Sequence, residues 1–221
     1  MIGRMKRSFL LLCLIFGLLG CATAEVAIPA EENTAAQLSE PTPSPTDTPV
    51  PIVKTGLYTQ TLSFDDIERT YLMYVPEAAN SGAPLPLLLN LHGFTGTSES
   101  QLNYADFRPI ADREGVILVY PQGTLLKDVE GDTHWNVGSW TRESTIDDVG
   151  FLSLMIDTII NEYNIDSDRV YSIGHSNGGY MSFNLVCQIG DKITAVASVS
   201  GTMTPENFAA CTPSHPTPIM Q

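Results

Sequence analysis

The 221-residue chain is 43% hydrophobic, enough for one globular domain with a substantial core, which excludes a wholly disordered protein. Its formal net charge is −14, from 11 basic and 25 acidic residues, and that excludes the basic face a nucleic-acid-binding protein needs. Composition is uneven, and the segments differ in kind.

Residues 1–20 read as a signal peptide. Arg4, Lys6 and Arg7 precede an apolar run from Phe9 to Leu19, too short for a comfortable transmembrane helix. The run ends in Leu18-Leu19-Gly20-Cys21, which resembles the bacterial lipobox, so Cys21 is the expected lipidation site and the protein an extracytoplasmic, membrane-anchored lipoprotein or a secreted one. The alternative is an ordinary cleaved signal with an incidental Cys. Lipid on Cys21 would make the membrane a partner, each buried CH₂ contributing about 0.8 kcal/mol. Cleavage leaves eight basic against 25 acidic groups, a net charge of −17. Residues 21–55 form a tether rich in Ala, Glu, Thr, Ser and Pro, with Pro41-Thr42-Pro43-Ser44-Pro45-Thr46 at its centre. Such composition buries too little to offset ordering entropy and favours an extended spacer.

The catalytic domain is expected over residues 56–221. Leu57–Phe64 and Ile67–Val75 alternate in–out around Asp65-Asp66 and predict a β-hairpin. Pro86–Leu91 is a buried strand that runs into His92-Gly93-Phe94-Thr95-Gly96. The spacing over Tyr104–Glu114 predicts one helix ended by Gly115, followed by a buried strand over Val116–Tyr120. Residues 124–146 are polar and irregular, with Trp135 and Trp140, and are expected to form an excursion over a site. Apolar residues at 151, 152, 155, 156, 159 and 160 predict a helix over Asp147–Tyr163, with Asp147 and Asp148 at its positive end. Arg169–Ile173 is a strand, Asn177–Gln188 a helix, Ile193–Val199 a strand, and Pro218–Gln221 the start of another. A hairpin followed by alternating strands and helices predicts an α/β fold with a mostly parallel sheet.

Gly174-His175-Ser176-Asn177-Gly178 carries the chemistry. A Gly-x-Ser-x-Gly pentad alone is a weak signal. Here a β-rich run precedes it and an amphipathic helix follows, which is the strand–turn–helix setting of a nucleophile elbow. Ser176 is the candidate nucleophile. An anionic intermediate needs two aimed N–H groups, and the expected donors are the backbone amides of Asn177 and of Phe94 on the loop after the first buried strand. His92 is expected to brace that loop. His92, His175, Trp135 and Trp140 are candidates to line the substrate site, with plain core as the alternative for the two tryptophans.

The ordered set Leu91-His92-Gly93-Phe94-Thr95-Gly96, Tyr120-Pro121-Gln122-Gly123-Thr124, His134-Trp135-Asn136, Asp147-Asp148-Val149-Gly150-Phe151 and Gly174-His175-Ser176-Asn177-Gly178-Gly179 resembles the polyhydroxybutyrate depolymerase/feruloyl esterase family of exported α/β-hydrolases. The likeness spans about residues 57–221. It implies the α/β-hydrolase fold and ester hydrolysis through an acyl-enzyme. The implied substrates are a polyester, its oligomers, or feruloyl or acetyl esters on plant polysaccharide. A serine peptidase of the prolyl-oligopeptidase type shares the elbow, and a non-catalytic surface binding module on the same fold is the reading from another class. No cofactor is implied, and the His and Cys residues lack metal-ligand spacing.

The triad acid and base are the missing pieces. The order in this fold is Ser, then Asp or Glu, then His. Past the nucleophile helix stand only Asp191, Glu206 and His215. Asp191 and His215 each precede a strand, at the edge away from the carboxyl ends where such sites lie. Glu206 has no His to orient, and His134 and His175 are the other histidines in play. The sequence therefore reads as an esterase incomplete at its carboxyl end, lacking the last strands and nearly inactive as given, against the rival of a protein without a triad. An exported chain also favours one Cys187–Cys211 disulfide over two free thiols, Cys13 leaving with the signal.

Overall fold

The computed structural model describes residues 53–126 and 132–221. The expected signal peptide, Cys21 and the tether as far as residue 52 lie outside the described residues.

The hairpin pairs β1 (Gly56–Phe64) with β2 (Ile67–Val75) in full antiparallel register, closing at Phe64 opposite Ile67. Asp65 and Asp66 take φ of 51° and 59°. Two consecutive left-handed residues match the twist of a two-residue hairpin, and the short polar Asp side chain tolerates that conformation better than most.

The other strands of this sheet are β3 (Leu85–Leu91), β4 (Ile117–Pro121), β7 (Ile165–His175), β8 (Ala195–Val199) and β9 (Ile219–Met220), and its order is β1-β2-β4-β3-β7-β8-β9. β2 meets β4 antiparallel, and every pair from β4 to β9 is parallel. β3 and β4 read as continuous apolar runs because both their faces are covered. Ile117 and Val119 point into the core beneath the larger helices, while Leu118 and Tyr120 join Leu102 and Ala111 on the other face. The chain leaves β3 for β4 on one side and returns to β7 on the other, so the strand order reverses at β3. The crevice outside the carboxyl ends of β3 and β7 is where such a sheet binds ligands.

The helix predicted over 104–114 is in fact two, α1 (Ser98–Tyr104) and α2 (Arg108–Glu114). Thr97 and Ser100 form a capping box that starts α1 before the predicted boundary, and Pro109 in the first turn of α2 can begin a helix but not continue one. Gly115 ends α2 at φ 65°. The excursion is also more ordered than its composition suggests. β5 (Thr124–Leu125) pairs with β6 (Thr133–His134), and Trp135, Val137 and Thr141 are buried, so this stretch packs into the core as well as bordering the site.

α3 (Asp148–Glu162) buries Phe151, Leu152, Met155, Ile156 and Ile159, the stripe its periodicity predicts, while Ile160 is only partly covered. Asp147 is its N-cap and accepts the Gly150 N–H at 2.8 Å. α4 (Asn177–Ile189) lies beside α3 on the same face, and the short α5 (Pro205–Ala210) follows β8.

Candidate active site

Ser176 stands between the last residue of β7 and the first of α4, at φ 50° and ψ −115°. A non-glycine residue there is strained, and the surroundings hold it in place. Its N–H donates to the Val199 carbonyl at 2.7 Å, and its own carbonyl accepts from Tyr180 N–H at 3.0 Å. The two glycines of the pentad are explained by close approach. A Cβ on Gly174 would lie 2.2 Å from the Gly178 backbone, and one on Gly178 would lie 2.4 Å from the Leu91 carbonyl oxygen. The elbow thus presses strand, helix and the end of β3 together with no room for a methyl group.

The loop after β3 lies against this turn. A side chain at Gly93 would meet His175 Nδ1 at 3.0 Å and Ser176 Cβ at 3.6 Å. Among the described residues, neither the Phe94 nor the Asn177 N–H has a hydrogen-bond acceptor, whereas the neighbouring amides of Thr95 and Gly96 donate to Thr133 and Gly93 carbonyls. Two unengaged amides beside a strained serine can receive an oxygen that gains negative charge.

His92 holds the loop in shape. Its Nε2 accepts the Gly123 N–H at 2.9 Å, which leaves Nδ1–H to donate to the Gly93 carbonyl at 2.8 Å. Burial pushes its pKa down to about 4, the Gly93 carbonyl opposing, so the ring is neutral at ordinary pH. Trp135 links this loop to the elbow. Its Nε1–H donates to the His92 carbonyl at 2.9 Å, and its main chain exchanges two hydrogen bonds with the Asn177 side chain, at 2.7 and 3.0 Å. His92 braces the loop and Trp135 packs as core, the alternatives the sequence offered beside substrate lining. Both are fully buried, and their polar atoms are spent within the protein. The Asn177 side chain was not singled out from sequence, because its partner is 42 positions away in the chain.

Trp140 and His175 both keep part of their surface in contact with solvent. Trp140 is half exposed, edge-on to Phe94 and Tyr180 at centroid distances of 5.4 and 6.2 Å. The His175 ring packs against Tyr104 at 5.3 Å, and Tyr104 is 70% exposed. Sequence reasoning missed Tyr104 and Tyr180. Tyr180 was within reach of it, one turn past Ser176 on α4.

A buried ion pair supports the site from behind. Arg69 Nη2 donates to Asp148 Oδ1 at 2.7 Å, Asp148 Oδ2 accepts the Asn136 N–H at 2.7 Å, and the guanidinium lies 4.0 Å from the Phe151 ring centroid. Burial pushes the Asp148 carboxyl up, and Arg69 and the Asn136 amide oppose it. Asp148 was expected only to favour the helix N-terminus. It also ties α3 to β2 and to the 134–137 segment.

Among the described residues, no carboxylate or imidazole hydrogen-bonds to Ser176. His134 is buried, with Nδ1 on the Thr124 carbonyl at 3.0 Å. His215 Nε2 lies 2.7 Å from the Gly190 carbonyl, at the far end of α4 from Ser176. Asp191 follows Gly190 at that same end, and Glu206 sits in the first turn of α5. Cys187 and Cys211 are joined by a disulfide with Cα atoms 4.9 Å apart, which ties the end of α4 to the end of α5.

Known proteins share this fold. The acetyl xylan esterase from Aspergillus awamori superposes with a TM-score of 0.54 at 19% identity, over 66% of this chain and 53% of that one. An S-formylglutathione hydrolase from Agrobacterium tumefaciens superposes at 0.55 with 18% identity, over 71% and 62%. These likenesses identify the α/β-hydrolase fold. In sequence, the chain is 35% identical over 151 residues to a bifunctional acetylxylan esterase/xylanase of Neocallimastix patriciarum, covering 68% of this chain and 20% of that protein. It is 29% identical over 154 residues to feruloyl esterase B of Piromyces equi, covering 69% and 28%. The chain thus spans well under half the length of these two curated relatives. Residues 69–215, more than half of the chain, match the model of the family described as esterase PHB depolymerase, and the protein belongs to that family.

Proposed function

We propose that the protein is a serine carboxylic ester hydrolase. Ser176 Oγ attacks the ester carbonyl, the acyl–oxygen bond breaks, the alcohol leaves with a proton, and water then releases the acid from Ser176. Phe94 and Asn177 N–H groups receive the carbonyl oxygen as it becomes anionic. The observation that carries this reading is the strained Ser176 at the head of α4 beside two amides without acceptors. Substrates on this reading are polyester or oligoester chains, or feruloyl or acetyl esters, in keeping with the names of the relatives. The site of action is extracytoplasmic, with Cys21 as lipid anchor, a reading that rests on the amino-terminal sequence.

The test is hydrolysis of p-nitrophenyl acetate and methyl ferulate by the protein as the cell makes it, beside Ser176→Ala. Ester turnover that disappears in Ser176→Ala is expected. Turnover that survives the substitution, or a preference for aminoacyl amides, would overturn the assignment. No described carboxylate or imidazole hydrogen-bonds to Ser176, so without a further acid and base turnover is expected about 10⁴-fold or more below that of an intact triad.

A further inference from the structure

A cavity of about 260 Å³ opens between residues 136–138, the start of α3, the outer part of α4 and α5. Its lining is polar, with side-chain amides from Asn136, Asn184, Gln188 and Asn207 and the Asp147 carboxylate. Asn136 is committed, its Nδ2 donating to the Ser144 and Ile146 carbonyls and its Oδ1 accepting from Gly138 N–H. Asn207 Nδ2 donates to the Val137 carbonyl and to Asn184 Oδ1, at 2.9 and 2.8 Å. The remaining polar atoms have no partner among the described residues. They are Asn184 Nδ2, on a residue only 5% exposed, both amide atoms of Gln188, Asn207 Oδ1, and the second Asp147 oxygen.

The ligand chemistry follows by elimination. Among the described residues no Lys or Arg lines the cavity, and Asp147 would repel an anion. An apolar group would leave the nearly buried Asn184 donor unpaired, which costs about 1–3 kcal/mol. A divalent cation needs six or more oxygen ligands, and two of the unengaged groups here are N–H donors. Donors and acceptors mixed in the lining of one small cavity suit a neutral ring bearing hydroxyls, since each hydroxyl both donates and accepts. We propose that this cavity binds a neutral sugar residue. Asn184 Nδ2 and Gln188 Nε2 donate to its hydroxyl oxygens, and Asn207 Oδ1, Gln188 Oε1 and Asp147 accept its hydroxyl protons. Asn184 and Gln188 lie 8 and 12 residues past Ser176, and at about 1.5 Å per residue along α4 they stand roughly 12–18 Å from it. On the esterase reading, that separation makes the cavity an accessory site that holds a carbohydrate chain while another part of it reaches Ser176.

Calorimetric titration of the whole protein with xylohexaose and with cellohexaose tests the proposal. Saturable millimolar binding to at least one is expected. Gln188→Ala, a change at an exposed position, is expected to weaken it about tenfold with an unchanged melting temperature, the loss of about one hydrogen-bond pair. Ser176→Ala is expected to leave it intact, so that this site and the esterase reading fail separately. Absence of saturable binding to both sugars, binding that Gln188→Ala does not weaken, or a response to calcium chloride without one to sugar would each overturn the proposal.

Discussion

At the scale of single residues, the site depends on side chains that never meet a substrate. His92 keeps its ring neutral by burial, and neutrality lets Nε2 accept from Gly123 and Nδ1–H hold the Gly93 carbonyl. The consequence for stability has a definite sign. Above the ordinary histidine pKa of 6.5, both folded and unfolded chains carry a neutral ring. As pH falls from there towards the folded value of about 4, the unfolded chain takes up a proton that the folded chain refuses, and stability declines. Urea unfolding at pH 7 and pH 4.5 should show a loss of about 2–3 kcal/mol from this group. His92→Gln, which cannot titrate, should show a correspondingly smaller decline over the same interval. Equal declines in both proteins would remove His92 from that role.

At the scale of elements, the periodicity of α3 was plain in the sequence, but its docking was not. The Arg69–Asp148 pair joins β2, the strand next to the sheet edge, to the first turn of α3, with both side chains almost wholly excluded from solvent. Removing one partner leaves a buried, uncompensated charge, so Asp148→Ala should cost about 3–5 kcal/mol in urea unfolding. The apolar double replacement Arg69→Met with Asp148→Leu should recover much of that loss. If it does no better than Asp148→Ala, the cost lies in the lost Asn136 hydrogen bond and not in the stranded charge. The division of the predicted 104–114 helix belongs to this scale too. Gly115 and Pro109 were visible as punctuation, but the Thr97–Ser100 box that starts α1 carries no apolar periodicity to announce it.

At the scale of the whole molecule, the reversal at β3 brings the loop after β3 and the elbow after β7 to one end of the sheet. The other notable feature is a groove of about 350 Å³ on the face of β7, β8 and β9, lined by Leu88, Tyr171, Ile173, Ala195, Val196 and Ile219 among others. Ile219 and Met220 are 50% and 73% exposed on the edge strand. An apolar edge of this kind invites pairing with another chain. The 221-residue chain should therefore self-associate as its concentration rises in sedimentation velocity runs, and Ile219→Lys with Met220→Lys should suppress that. A monomer at all concentrations would show that the edge is protected.

The sequence by itself determined the hairpin, the buried strands, the helical stripe of α3 and the setting of Ser176, because each is written in local periodicity or in glycines a few residues apart. The reversal at β3 was not written there, since strand order is decided by which faces can be buried together. Nor were the reciprocal Asn177–Trp135 pair, the Trp135–His92 link or the Arg69–Asp148 pair, whose members stand 42, 43 and 79 positions apart. A tryptophan or histidine looks the same in sequence whether it faces substrate or core. Only packing divided Trp140, half exposed, from Trp135, which holds the loop after β3 and the elbow together.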